Sequence, residues 1–249
     1  MFIHKSFYFI IAAVFTAAIF LDGQQKRVSY LTGKVEIIDS EIAGPESISD
    51  LEINATILPK HVLATGKGSR IALRQNDVRW RLGSLSVGRW FPNNSFWLHS
   101  GSALFCSSED GDFTFSTREA NATFSGSGTI IIEATANGGF KFIPLEAKGT
   151  IRTPKGDAQD VRGGRLLLVL GKPTRFGDAF DIDIMLLLKS SRLVNAFPDP
   201  LPTFDKIGLA LYVQELKLKG KYDALIGDAT TNENLQMWKF GKKPVKEAN

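Results

Sequence analysis

From Tyr30 onward the chain alternates short apolar segments with turn residues. Leu31 to Ile38 is the first such segment; Gly33 lies inside it and Asp39, Gly44 and Pro45 follow, which predicts a strand and then a loop. Between Ser69 and Arg74, Ile71 and Leu73 alternate with Arg70, Ala72 and Arg74. Between Val78 and Leu82, Val78, Trp80 and Leu82 alternate with Arg79 and Arg81. A period of two marks strands with one buried face. The polar Gln75-Asn76-Asp77 between them predicts a hairpin, since Asn and Asp tolerate the left-handed backbone that tight turns use.

The pattern continues through the middle of the chain. Phe113 and Phe115 alternate after Glu109-Asp110-Gly111-Asp112, a stretch that reads as a turn. Ile130, Ile131 and Ile132 form an unbroken β-branched centre, which predicts a strand covered on both faces. Asn137-Gly138-Gly139 separates it from Phe140–Ile143 as a second hairpin, and Leu166–Leu170 closes the series. Many short strands at close spacing predict a mainly β fold, an antiparallel β-sandwich or barrel-like domain.

Beyond Pro173 the period lengthens. Phe180, Ile184, Leu187, Ser191 and Val194 fall at helical spacing and predict a helix ending near Phe197, before Pro198, Pro200 and Pro202. A second helix starts at Thr203 or Phe204 and carries Ile207, Leu211, Leu218, Tyr222 and Leu225 on one stripe. The expected organisation is a β domain over residues 30–172, a helical hairpin over 178–238 and a basic tail over 239–249 that holds Lys239, Lys242, Lys243 and Lys246.

Composition narrows the class. At 249 residues, 43% hydrophobic and 22% charged, the chain has the balance of an ordinary globular protein. Residues 1–22 combine a short start containing Lys5 with an apolar run from Phe7 to Leu21, which predicts an export signal or an N-terminal membrane anchor. The expected location is therefore the periplasm or cell envelope. Cys106 is the single cysteine, so no intramolecular disulfide forms and the thiol reads as a small buried hydrophobe. Without residues up to Leu21, 29 basic side chains face 26 acidic ones, an excess too mild to call for nucleic acid.

Catalytic chemistry finds little support in the residue pattern. His61 and His99 have no cysteine or second histidine at metal-ligand spacing. Glu109, Asp110 and Asp112 lack the ligand run of a calcium loop. Ser125-Gly126-Ser127-Gly128-Thr129 does not meet G-x-S-x-G and leads into a strand. Gly66-Lys67-Gly68-Ser69 lacks the spacing of a phosphate loop. We expect no enzyme, no metal and no cofactor. The richest stretch is Val78–Trp97, where Arg79, Arg81, Arg89, Trp90 and Trp97 combine aromatic and guanidinium groups suited to an acidic protein partner or a sugar.

The order of the segments VLATGKGSRIALRQNDVRWRLGSLSVG, FWLHSGSALF, FTFSTREANATFSGSGTIIIEATANGGFKFIPLEAKGTIR and KGDAQDVRGGRLLLV resembles the FecR-type periplasmic domain family over most of Gly33–Leu170. Thr65-Gly66, Leu82-Gly83, Gly128-Thr129 and Gly163-Gly164 stand where that pattern places its turn and close-approach residues. The resemblance implies a jelly-roll-like sandwich in the envelope. In its best-known members it implies relay of a signal from an outer-membrane receptor to a sigma-factor regulator, although no cytoplasmic domain precedes the apolar run here. The expectation is a non-enzymatic interaction or sensing module with an envelope protein partner. The alternatives are a carbohydrate or cell-wall binding module, or a structural envelope component.

Overall fold

The computed structural model describes residues 25–218. The N-terminal apolar run, Tyr222, Leu225 and the basic tail lie outside them. Within them the chain is mainly β. The strands are β1 (Lys26–Thr32), β2 (Val35–Asp39), β3 (Ile48–Asp50), β4 (Thr56–Ile57), β5 (His61–Thr65), β6 (Arg70–Gln75), β7 (Val78–Leu82) and β8 (Val87–Phe91). They continue as β9 (Ser95–Ser100), β10 (Ser102–Ser116), β11 (Asn121–Ala134), β12 (Phe140–Pro144), β13 (Lys148–Arg152), β14 (Ala158–Val161), β15 (Arg165–Leu170) and β16 (Arg175–Asp181). Three helices follow: α1 (Ile184–Ser190), α2 (Arg192–Asn195) and α3 (Phe204–Leu218).

All sixteen strands belong to one hydrogen-bonded network, and it branches at two long strands. Ala103–Ser107 of β10 pairs with β7, whereas Thr114–Ser116 pairs with β9. Ile130–Ala134 of β11 pairs with β12, whereas Thr123–Ser127 pairs with β13. The β10–β11 ribbon therefore belongs to both layers of the sandwich. It changes layer where its register slips, between Ser107 and Gly111. Glu109–Asp112, read from sequence as a turn, is this irregular stretch inside one continuous strand. The sheet is mixed and not wholly antiparallel, because β9 and β10 run parallel.

Gly128 is what lets β11 bend. Its φ is +120°, and a Cβ there would lie 2.4 Å from the Ala147 Cα. Backbone meets backbone at that point, so no side chain can yield. Nearby Gly126 faces Gly149 across β11 and β13 for the same reason of close approach.

Two cores result from the ribbon's alternation. Phe105, Ile130, Ile132, Phe140 and Phe142 point between the layers and join Trp80, Phe96, Phe115 and Phe124. Leu104, Cys106, Ile131 and Ile143 point the other way and join Ile184, Leu187, Leu193, Leu201 and Ile207 of the helical segment. The isoleucine strand is thus covered on both faces, as its composition requires.

The hairpin between β6 and β7 forms with Asn76 at φ +48°, and the one between β11 and β12 pairs Ile131 with Ile143. Leu31–Ile38 is two strands and not one. Gly33 adopts φ +75° against Ser69 and breaks the run between β1 and β2. Phe180, read as helical, lies in β16 opposite Leu166, so the β region extends to Asp181. The first predicted helix begins at Ile184, with the Asp183 carboxylate accepting from the Leu186 N–H at 2.9 Å, and is interrupted at Ser191. The expected two-helix hairpin is therefore three helices among the described residues.

Replacing Gly128 should cost far more than replacing a glycine in open space. Gly128→Ala is expected to lower unfolding free energy by about 2–5 kcal/mol through backbone strain and overpacking. Gly68→Ala, with φ +76° but nothing within 4 Å of its Cβ, should cost about 1 kcal/mol. Chemical denaturation of the two variants checks the difference; similar losses would show that close approach is not what fixes Gly128.

Candidate interaction surface

The five arginine and tryptophan residues singled out in Val78–Trp97 do not form one surface. Strand alternation sends them to three places. Trp90 shares the inner face of β8 with Gly88 and packs at ring-centroid distances of 5.7 Å on Trp80 and 4.8 Å on Phe96. It is 2% exposed, so it is core and not a contact residue. Gly88 allows this, since a Cβ there would stand 2.9 Å from the Phe96 ring.

Arg89 and Trp97 lie directly opposite each other on the outer face of β8 and β9. The Arg89 Nε–H donates to the Pro59 carbonyl at 2.7 Å, and its guanidinium covers the Phe91 ring at 4.7 Å. Trp97 neighbours the exposed His99 at 5.2 Å between ring centroids. These four side chains form a half-exposed aromatic and cationic patch.

Arg79 and Arg81 occupy the outer face of β7, in the other layer. Arg81 is 4% exposed, so nearly all of its side chain is enclosed. α2 and the segment after it fold back over it. Its Nη1 donates to the Leu193 and Val194 carbonyls at 2.9 and 3.1 Å, and its Nη2 donates to the Asp199 carbonyl. The Phe197 ring covers the guanidinium at 4.4 Å. Burial brings the Arg81 pKa down to about 10, so the group stays charged at neutral pH. Arg81 therefore fastens the helical segment to the β domain. Arg79 is half-buried and donates to the Asn76 and Val78 carbonyls of its own hairpin.

A second anchor is polar as well. The Thr203 hydroxyl, immediately before α3, sits over the cross-strand pair Cys106 and Thr129; it bonds the Thr129 hydroxyl and approaches the Cys106 sulfur at 3.6 Å. Burial raises the Cys106 pKa, which keeps the thiol protonated and suits the packing role read for it.

The third anchor fixes which side of α3 faces outward. Gln214 accepts the Ile184 N–H at 2.9 Å and donates to the Ile182 carbonyl. Ile207, Leu211 and Gln214 thus turn inward at helical spacing. Leu209, Tyr212, Val213 and Leu216 are left on the solvent side. These four stand at i, i+3, i+4 and i+7, a complete second apolar stripe. Beside it runs an open groove of about 760 Å³ between α3 and the first residues of β13 and β15, with Lys148, Arg162 and Lys206 among its lining residues. The stripe predicted from sequence, through Ile207 and Leu211, is the inward one; the outward stripe has the same helical spacing.

His61 begins β5, where its Nδ1 accepts the Leu58 N–H at 3.1 Å, and His99 lies on β9. Among the described residues no three His, Cys, Asp or Glu side chains gather as a metal site. Among them also, no helix is long and apolar enough to cross a membrane.

No family model matches the chain, and no curated protein matches it. Two crystal structures of a "putative anti-sigma factor" from Parabacteroides distasonis ATCC 8503 are similar to it. One is 13% identical with a TM-score of 0.41, and the second is 14% identical with a TM-score of 0.40. Each comparison covers 51% of this chain, and the chain spans just under two thirds of theirs, 64% and 63%. A likeness of that size says nothing about site or partner.

Arg81→Leu should destabilise the chain by about 2–4 kcal/mol, because three backbone carbonyls of the helical segment lose their buried donor. Arg79→Leu, whose bonds stay within one hairpin, should cost under about 1 kcal/mol. Denaturant midpoints measure both, and equal effects would deny Arg81 its anchoring role.

Proposed function

We propose that this chain is a non-enzymatic protein-interaction or sensing module of the cell envelope. The observation that carries the reading is the outward stripe of α3. Leu209, Tyr212 and Leu216 are 63%, 60% and 64% exposed on a helix already docked by its opposite face. An apolar stripe held rigidly in water fits a partner helix or strand. In the adjoining groove Lys148, Arg162, Arg165 and Lys206 outnumber Glu146 and Asp181, which suits a partner segment that mixes apolar residues with carboxylates. Export is supported by the apolar run of residues 7–21, and a link to transmembrane signalling by the FecR-type resemblance of the segment order.

The β8–β9 patch supports a second reading, carbohydrate binding, through Trp97 with Arg89 and His99 beside it. Only one of the two tryptophans proposed for that role is available, since Trp90 is enclosed.

A photo-crosslinking residue at position 212 of the full chain in its native cell should yield one recurrent protein adduct. Leu209→Glu with Leu216→Glu should abolish it without moving the melting temperature. No adduct, or one indifferent to these changes, would reject the α3 stripe. Glycan-array binding lost on Trp97→Ala would favour the second reading instead.

A further inference from the structure

The outer face of β1, β6 and β7 concentrates positive charge. By register, Arg27 lies opposite Arg74 and Arg74 lies opposite Arg79, so one row of arginine crosses three neighbouring strands. The next row along is Tyr30, Ala72 and Arg81. Strand spacing puts Arg74 and Arg79 roughly 5 Å apart at their Cβ atoms, and Arg81 stands two residues beyond Arg79.

A cleft of about 390 Å³ opens between this face and the 197–202 segment. Arg74, Arg79 and Arg81 line it together with Tyr30, Phe197 and Asp199. Among the described residues, no carboxylate makes an ion pair with any of the three arginines. Asp199 and Asp77 act on Arg79 only at longer range. Like charges directly opposite in a sheet destabilise it, and a desolvated guanidinium adds to that cost. Arg79 shows both effects: burial lowers its pKa first and the Arg74 charge lowers it further. Arg81 spends three of its five N–H groups on backbone carbonyls, and those bonds hold it in place at the back of the cleft.

Such a site is unfavourable when empty and favourable when an anion fills it. We propose that the cleft binds a phosphate group. A tetrahedral dianion offers oxygens in several directions at once and can accept from guanidiniums on different strands, whereas a carboxylate is satisfied by a single guanidinium fork. The group is free phosphate or the ester of a sugar or lipid headgroup, and the open mouth of the cleft admits either.

Isothermal titration of the full chain in phosphate-free buffer, at constant ionic strength set with chloride, tests the assignment. Wild type should bind inorganic phosphate, glycerol 3-phosphate or both, and the tighter of the two identifies the source as free or esterified. Arg74→Gln and Arg79→Gln should each weaken binding about tenfold. The double variant should bind neither ligand yet melt close to wild type without phosphate, because relief of the repulsion offsets the Arg79 bonds lost from the hairpin. Arg192→Gln, on the exposed surface of α2, should bind as wild type does. No heat with either ligand, unchanged affinity in the Arg74 and Arg79 variants, or an equal loss in Arg192→Gln would overturn the proposal.

Discussion

The β10–β11 ribbon is shared by two layers, and most of the molecule follows from that sharing. A strand confined to one sheet can bury one face and leave the other to solvent. Here the ribbon's inner face must fill the sandwich while Leu104, Cys106, Ile131 and Ile143 on its outer face still need cover. Hydrophobic burial on that scale dominates folding, so the chain supplies a lid in the form of α1, α2 and α3. The bend at Gly128 is the backbone condition for all of this. It directs the first half of β11 to β13 and the second half to β12, which is how one strand serves both layers.

The lid is fixed by directional bonds as well as by apolar contact. Arg81 gathers three carbonyls of the returning segment, Thr203 bridges to Thr129, and Gln214 reads the backbone at Ile182 and Ile184. Apolar burial alone would tolerate α3 rotated about its axis. The Gln214 bonds do not, and so the stripe from Leu209 to Leu216 is held in water instead of turning inward. The outward stripe is thus a by-product of how firmly the opposite side is tied down.

Much of the β domain was legible because its signals are local. Alternation in Arg70–Gln75 and Val78–Leu82, the tolerant Asn76 turn and the isoleucine centre each act within a few residues. Trp90 was equally legible in principle, since in Val87–Phe91 it alternates with Arg89 and shares parity with Gly88. What alternation cannot reveal is whether a polar face is later covered from far along the chain. Arg81 is polar by position yet enclosed by residues more than a hundred positions away. The same limit explains Glu109–Asp112, whose polar run marks a turn in most sequences but a slip of register here because β11 keeps pairing across it. It also applies to α3: both of its stripes carry helical period, and only docking through Gln214 decides which one faces inward.

The single thiol of this chain occupies a telling position. Cys106 lies beneath Thr203, sealed where the helical lid meets the sheet, and no other cysteine competes with it. Its reactivity toward an alkylating reagent is thus tied to lid opening, which gives the protein a native chemical clock for how long that lid stays shut.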